Sequence, residues 1–157
     1  LTIDCWDMER TWGILQEGMK STVYSLLNTA FFNFSAIAYD YNKRRFLISD
    51  DFCRFYSTHT MEVVYSKNPR IETCIVNALY YADKYDFFIG TSLRKWIVKN
   101  YREDYDYHSA QLSRFQKVIY SDKMIRAFAN ICNRAEIYTK GRIMLCGDGQ
   151  EINLKFR

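Results

Sequence analysis

The chain has 157 residues, enough for one domain that buries a core without disulfides or metals. Its 48 % hydrophobic and 25 % charged residues exclude a disordered chain. The net charge of +4 is spread among acidic residues, as in Arg102-Glu103-Asp104, and lacks the concentrated positive face of a nucleic-acid binder. Aromatics reach 17 % against one Pro and 6 Gly, so a dense core or a buried contact surface is expected. The five cysteines, Cys5, Cys53, Cys74, Cys132 and Cys146, are odd in number and widely spaced, with no C-x-x-C pair. They read as free thiols in a reducing, cytoplasmic setting rather than a disulfide framework or a zinc site. No apolar run approaches the roughly 20 residues that span a bilayer, and no signal peptide opens the chain, so no membrane segment is expected. The chain opens on Leu1 rather than Met and is expected to be part of a larger protein.

In chain order, Asp4 to Leu27 predicts a helix. Met8, Trp12, Leu15, Met19, Thr22 and Leu26 form a heptad-like seam that must pack on its own domain or on a partner helix, with Gly13 and Gly18 weakening it. Phe34 to Tyr41 alternates, with Ile37, Tyr39 and Tyr41 on one face, and Phe46 and Ile48 continue after Asn42-Lys43-Arg44-Arg45, predicting a hairpin. Ser49-Asp50-Asp51 offers capping oxygens for a short helix carrying Phe52, Phe55 and Tyr56. Asn68-Pro69 predicts a helix start, followed by an apolar face of Ile71, Cys74, Ile75, Ala78, Leu79 and Ala82. Leu93, Trp96 and Ile97 mark another helix, and Tyr101 to His108 reads as a loop. Ser121 or Asp122 caps a helix with Met124, Ile125, Phe128, Ile131 and Cys132 inward. From Ile137 the pattern is strand, with Gly147-Asp148-Gly149 as a turn and Ile152, Leu154 and Phe156 alternating with Asn153, Lys155 and Arg157. Two hairpins separated by helices predict an α+β fold, an antiparallel sheet with helices packed on one face.

Three stretches carry a family likeness. The first is Ile37-Ala38-Tyr39-Asp40-Tyr41 through Arg45-Phe46-Leu47-Ile48-Ser49-Asp50-Asp51-Phe52. The second is Phe115 to Asp122, leading into the helix from Met124. The third is Arg142-Ile143-Met144-Leu145 with Gly147-Asp148-Gly149-Gln150-Glu151-Ile152. Their order resembles a PAS domain, a small sensory fold of bacterial signalling proteins. The resemblance implies an N-terminal linker or signalling helix over residues 1–30. A PAS-like domain over 31–157 would follow, with a long helical insertion at about 57–114. Either the last strand lies beyond the chain end or Leu1 to Trp6 supplies it; the same stretch also looks like the closing strand of a preceding unit. A pocket lined by Tyr39, Phe52, Phe55, Phe128 and Met144 is implied, with a small-molecule ligand but no particular cofactor. Also implied are a homodimer and an output domain such as a kinase or cyclic-dinucleotide enzyme in the parent chain. The expected role is sensing a small ligand or mediating dimerisation, and transmitting to that output. The alternative is a standalone α/β protein–protein interaction module without a ligand.

Residues able to do chemistry are sparse. Cys53-Arg54-Phe55 superficially resembles the flavin-adduct cysteine of LOV domains, but the Asn and Gln of that motif are missing, which favours a structural thiol. His59 and His108 lie in polar sequence without fixed partners. Asp50-Asp51 reads as helix capping and Glu103-Asp104-Asp106 as a polar loop; with Asp83 and Asp86 as a third cluster, glycosidase or metal chemistry would require two such groups to converge in a pocket. Lys43-Arg44-Arg45 beside Tyr39, Tyr41 and Phe46 is a basic turn with too few charges to hold a nucleic acid. No phosphate cradle, G-x-S-x-G or H-E-x-x-H is present, so an enzyme is not expected.

Overall fold

The computed structural model describes residues 6–134 and 141–157. Leu1 to Cys5, most of the segment expected as a closing strand, and Ile137 to Lys140, the expected start of the last strand pair, lie outside the described residues. The fold class is α+β, with seven α-helices and two sheets among the described residues. The chain divides into two compact units, Leu1–Thr58 with Val63–Asn68, and His59–Glu62 with Pro69–Arg157.

The first unit opens with a 3-10 turn at Met8–Arg10, then α1 (Trp12–Gln16) and α2 (Val23–Asn28). The single helix expected over Asp4 to Leu27 is therefore broken. Gly18 takes φ +60°, while the Gly18 and Met19 N–H groups donate back to Leu15 and Ile14, so the chain leaves α1 by a Schellman turn. A Cβ on Gly13 would come within 2.6 Å of Thr29 Cβ, so this glycine lets α1 approach the end of α2. Trp12, Leu15 and Met19 of the expected seam are exposed, and Ile14 and Leu27 are buried instead. With the two helices inside the first unit, the compact units fall elsewhere than a boundary at residue 30.

A 3-10 turn at Asn33–Ser35 leads into β1 (Ile37–Asp40) and β2 (Arg45–Ile48), which form an antiparallel two-stranded sheet, and then α3 (Asp50–Thr58). An aromatic cluster fastens this unit. Phe31 packs edge-on to Phe32 at 4.6 Å, Phe32 stacks on Phe34 at 4.9 Å, and Phe34 meets Phe55 at 5.4 Å. The returning segment adds Val64 N–H to Phe31 O at 2.9 Å and Tyr65 N–H to Ala30 O at 3.1 Å.

The second unit holds β3 (Thr60–Met61), α4 (Ile71–Tyr85), β4 (Phe88–Ile89), α5 (Thr91–Asn100), α6 (Tyr107–Phe115), α7 (Asp122–Arg134), β5 (Gly141–Gly147) and β6 (Gln150–Phe156). Its sheet runs β3-β4-β6-β5, parallel between β3 and β4 and between β4 and β6, antiparallel between β6 and β5. The two hairpins thus belong to two sheets rather than one, because β6 spends its second edge on β4 and not on the first hairpin. Helix α4 starts at Ile71, two residues beyond Pro69, and α6 occupies part of the expected loop, with Asp106 Oδ1 capping it through the Ser109 N–H at 2.8 Å. Ile75, Leu79, Leu93 and Ile97 are fully buried beside Ile125, Phe128 and Leu154. Helices α4 and α5, within the stretch expected as an insertion over 57–114, therefore contribute to the core of this unit. No helix of the described residues is long and apolar enough to cross a membrane.

Candidate functional site: an apolar sheet face

The β1–β2 register decides what each face of the first hairpin carries. Ile37 stands opposite Ile48 and Tyr39 opposite Phe46, so these four share one face; Ala38 with Leu47 and Asp40 with Arg45 share the other. On the second face Ala38, Leu47 and Asp40 are half-buried, and β1 lies against α2. The first points outward. Tyr39 is 52 % exposed, Phe46 62 % and Ile48 48 %, and the Tyr39 and Phe46 rings pack against each other at 5.0 Å. Tyr41, at the turn, is 83 % exposed.

Helix α3 extends this surface. Its start is fixed by Ser49, whose Oγ accepts the Phe52 N–H at 3.1 Å, and by Asp50 and Asp51 in the first turn, where the helix dipole favours negative charge. Phe52 and Tyr56, one turn apart, stack at 6.3 Å. With Ile48, Cys53 and Ser57 they line an open groove of about 320 Å³. At the other end of the hairpin, Asp40 Oδ1 accepts the Lys43 N–H at 3.0 Å and Arg44 adopts φ 47° to close the turn. Lys43, Arg44 and Arg45 are exposed, and none joins an ion pair among the described residues. The surface is thus an apolar strip with a basic tip and an acidic base.

The five residues expected to line one pocket are divided. Tyr39, Phe52 and Phe55 belong to the first unit, Phe128 and Met144 to the second. Phe52 lines the groove, with Phe55 at 6.3 Å, but Phe55 itself is buried in the aromatic cluster. Phe128 fills the core of the second unit, and Tyr39 and Met144 are exposed on their strands. Alternation explains the split: Met144 shares a sheet face with Asn153 rather than with Leu145 and Ile152. Phe46, Ile48 and Tyr56 are the residues that sequence reasoning saw as strand and helix formers and missed as a surface. The available signal was that Ile37-Ala38-Tyr39 and Phe46-Leu47-Ile48 are unbroken apolar triplets, the pattern of strands covered on both faces.

Burial pushes the Cys74 thiol up to about 12 and raises that of Cys132 as well, so both stay protonated near neutral pH; Cys53 and Cys146 are exposed free thiols. Asp83 accepts the Tyr120 hydroxyl at 2.7 Å and, with burial, holds that phenol neutral. Asp86 ends α4 in the left-handed region and pairs with Lys155. His59 is exposed, with its ring 6.4 Å from Phe87, and His108 is exposed in the first turn of α6.

No family model matches the chain, nor does any curated protein or any solved structure. The likeness to PAS domains rests on the quoted residues alone.

Proposed function

We propose that this chain is a protein-interaction module that binds through the outward face of β1–β2 and the adjoining face of α3. The observation that carries this reading is the register: Ile37, Tyr39, Phe46 and Ile48 share one sheet face, and Tyr39, Phe46 and Ile48 on it are exposed. A two-stranded sheet is marginal in water unless its apolar face is covered, and here three of the four residues on this face are exposed. Scattered exposed apolar side chains are ordinary, but a continuous strip from Tyr39 through Phe46 and Ile48 to Tyr56 is the kind of patch that marks an interaction site. The free thiols among the described cysteines support a reducing, cytoplasmic setting.

A signal-input role in a larger protein is supported by the stretches that resemble a PAS domain, and docking fits inside that role as the step that assembles the input unit. The work assigned to the face is binding rather than catalysis.

The test is the double substitution Tyr39→Ser/Phe46→Ser, followed by urea denaturation at a dilution where the chain is monomeric. A face kept for docking lies outside the folding core, so the variant loses less than about 1 kcal/mol, the scale of one cross-strand pair. A loss of about 3 kcal/mol or more per ring would mean that the rings are core of the folded chain and would overturn the reading.

A further inference from the structure

We infer that the occupant of this face is a second copy of the same chain, stacked on it through a two-fold axis with the hairpins antiparallel. The inference rests on the docking reading above and adds the partner. Three observations carry it.

The first is the distribution of charge along the strip. Its tip holds Lys43 and Arg44 in the turn, both exposed and outside any ion pair among the described residues. Its base holds Asp50, exposed, and Asp51, which is shared with Arg54 at the start of α3. A two-fold axis through the middle of the strip turns one copy end for end over the other. Each basic tip then lies over the partner's acidic base, and every favourable contact occurs twice. A parallel stacking would set like charges together at both ends, which costs free energy and selects against that register.

The second is length. The paired hairpin is four residues long, Ile37–Asp40 against Arg45–Ile48, or about 13 Å at the usual strand rise. Two such hairpins stack over their whole length with the aromatic pair Tyr39–Phe46 near the axis, each pair meeting its own image at the usual sheet-to-sheet spacing of about 10 Å.

The third is area. Four exposed rings, each worth about 150–250 Å² when fully covered, offer with Ile48 on the order of 500 Å² per copy. The rim of charged residues brings this toward the ~800 Å² per partner of a standard interface. An extended peptide covering the same strip would leave the acidic base and the basic tip unmatched unless it carried the reverse charge order, which a second copy carries by construction.

The experiment is sedimentation velocity over a wide concentration range on three proteins: the chain itself, Lys43→Glu/Arg44→Glu, and Asp50→Lys. The unsubstituted chain is expected to pass from monomer to dimer. Each variant is expected to dimerise about tenfold more weakly, since each altered contact is made twice, and an equimolar mixture of the two variants is expected to recover most of the loss as a heterodimer. Adding Tyr39→Ser/Phe46→Ser abolishes the dimer. Two outcomes overturn the inference: a monomer throughout, or a dimer equally strong in both charge variants and the unsubstituted chain. If the chain stays monomeric while Tyr39→Ser/Phe46→Ser leaves folding intact, the second copy is excluded and the docking surface stands for another partner. If that double variant unfolds, the docking reading itself has failed.

Discussion

Glu62 caps a helix that begins 29 residues further along the chain. Its two carboxylate oxygens accept the N–H groups of Thr91 at 3.1 Å, Ser92 at 2.8 Å and Leu93 at 3.3 Å, and the Ser92 hydroxyl as well. These are the orphan donors at the start of α5, and the position before them is Gly90, which has no side chain to serve them. A Cβ at Gly90 would fall on the Glu62 carboxylate, so space rather than backbone freedom requires the glycine. Glu62→Ala and Gly90→Ala are therefore each expected to cost about 1 kcal/mol, the usual worth of a helix cap, and together to cost less than their sum. Urea denaturation of the double-mutant cycle checks this, and strictly additive losses would show that Gly90 acts some other way. Gly90-Thr91-Ser92 carries a local breaker signal between helices. Its partner at residue 62 was not, because a cap supplied across such a separation leaves no local pattern.

At the scale of elements, local signals located most of the pieces. Ser49 and Ser121 cap α3 and α7, Gly147-Asp148-Gly149 turns the last hairpin, and Ile152, Leu154 and Phe156 point inward as alternation requires. Where the reading failed, tertiary contacts had outweighed periodicity. The seam from Met8 to Leu26 looked continuous, yet a left-handed Gly18 and the close approach of Gly13 to Thr29 break it into α1 and α2. The segment after α6 is held by Gln111, which is fully buried. Its amide donates to Tyr107 O and to Tyr120 O at 2.9 Å, and its Oε1 accepts the N–H groups of Ile119 at 2.9 Å and Tyr120 at 2.8 Å. One side chain thus supplies a strand's worth of hydrogen bonds to a loop. Gln111→Ala leaves several buried backbone groups unpaired, so a loss of about 2–3 kcal/mol is expected, with faster amide exchange at Ile119 and Tyr120. Unchanged protection of those two amides would contradict this role. Nothing in the sequence around Gln111 marks it, since a buried glutamine reads like a solvated one.

At the scale of the whole chain, the class α+β was legible from two hairpins separated by helices, and the assignment of those hairpins to separate sheets was not. Strand pairing is a long-range choice: β6 pairs with the two-residue strand β4, which in turn pairs with the two-residue strand β3, and their brevity hides both from any periodicity argument. The candidate surface was half legible. Tyr39, Phe46 and Ile48 were placed on one face correctly, but apolar was equated with inward. The unbroken triplets on both strands carried the missing information, that both faces of this hairpin are apolar. The proposed interaction module rests on that surface.

Hydroxyl-radical footprinting of the dilute chain tests the exposure of that surface most directly. Tyr39, Tyr41, Phe46 and Tyr56 are expected to oxidise at the rate of open aromatic rings, while Phe55 and Phe128 stay protected. If Tyr39 and Phe46 are as protected as Phe55 in a chain shown to be monomeric, the face is already covered from within, and no docking surface exists.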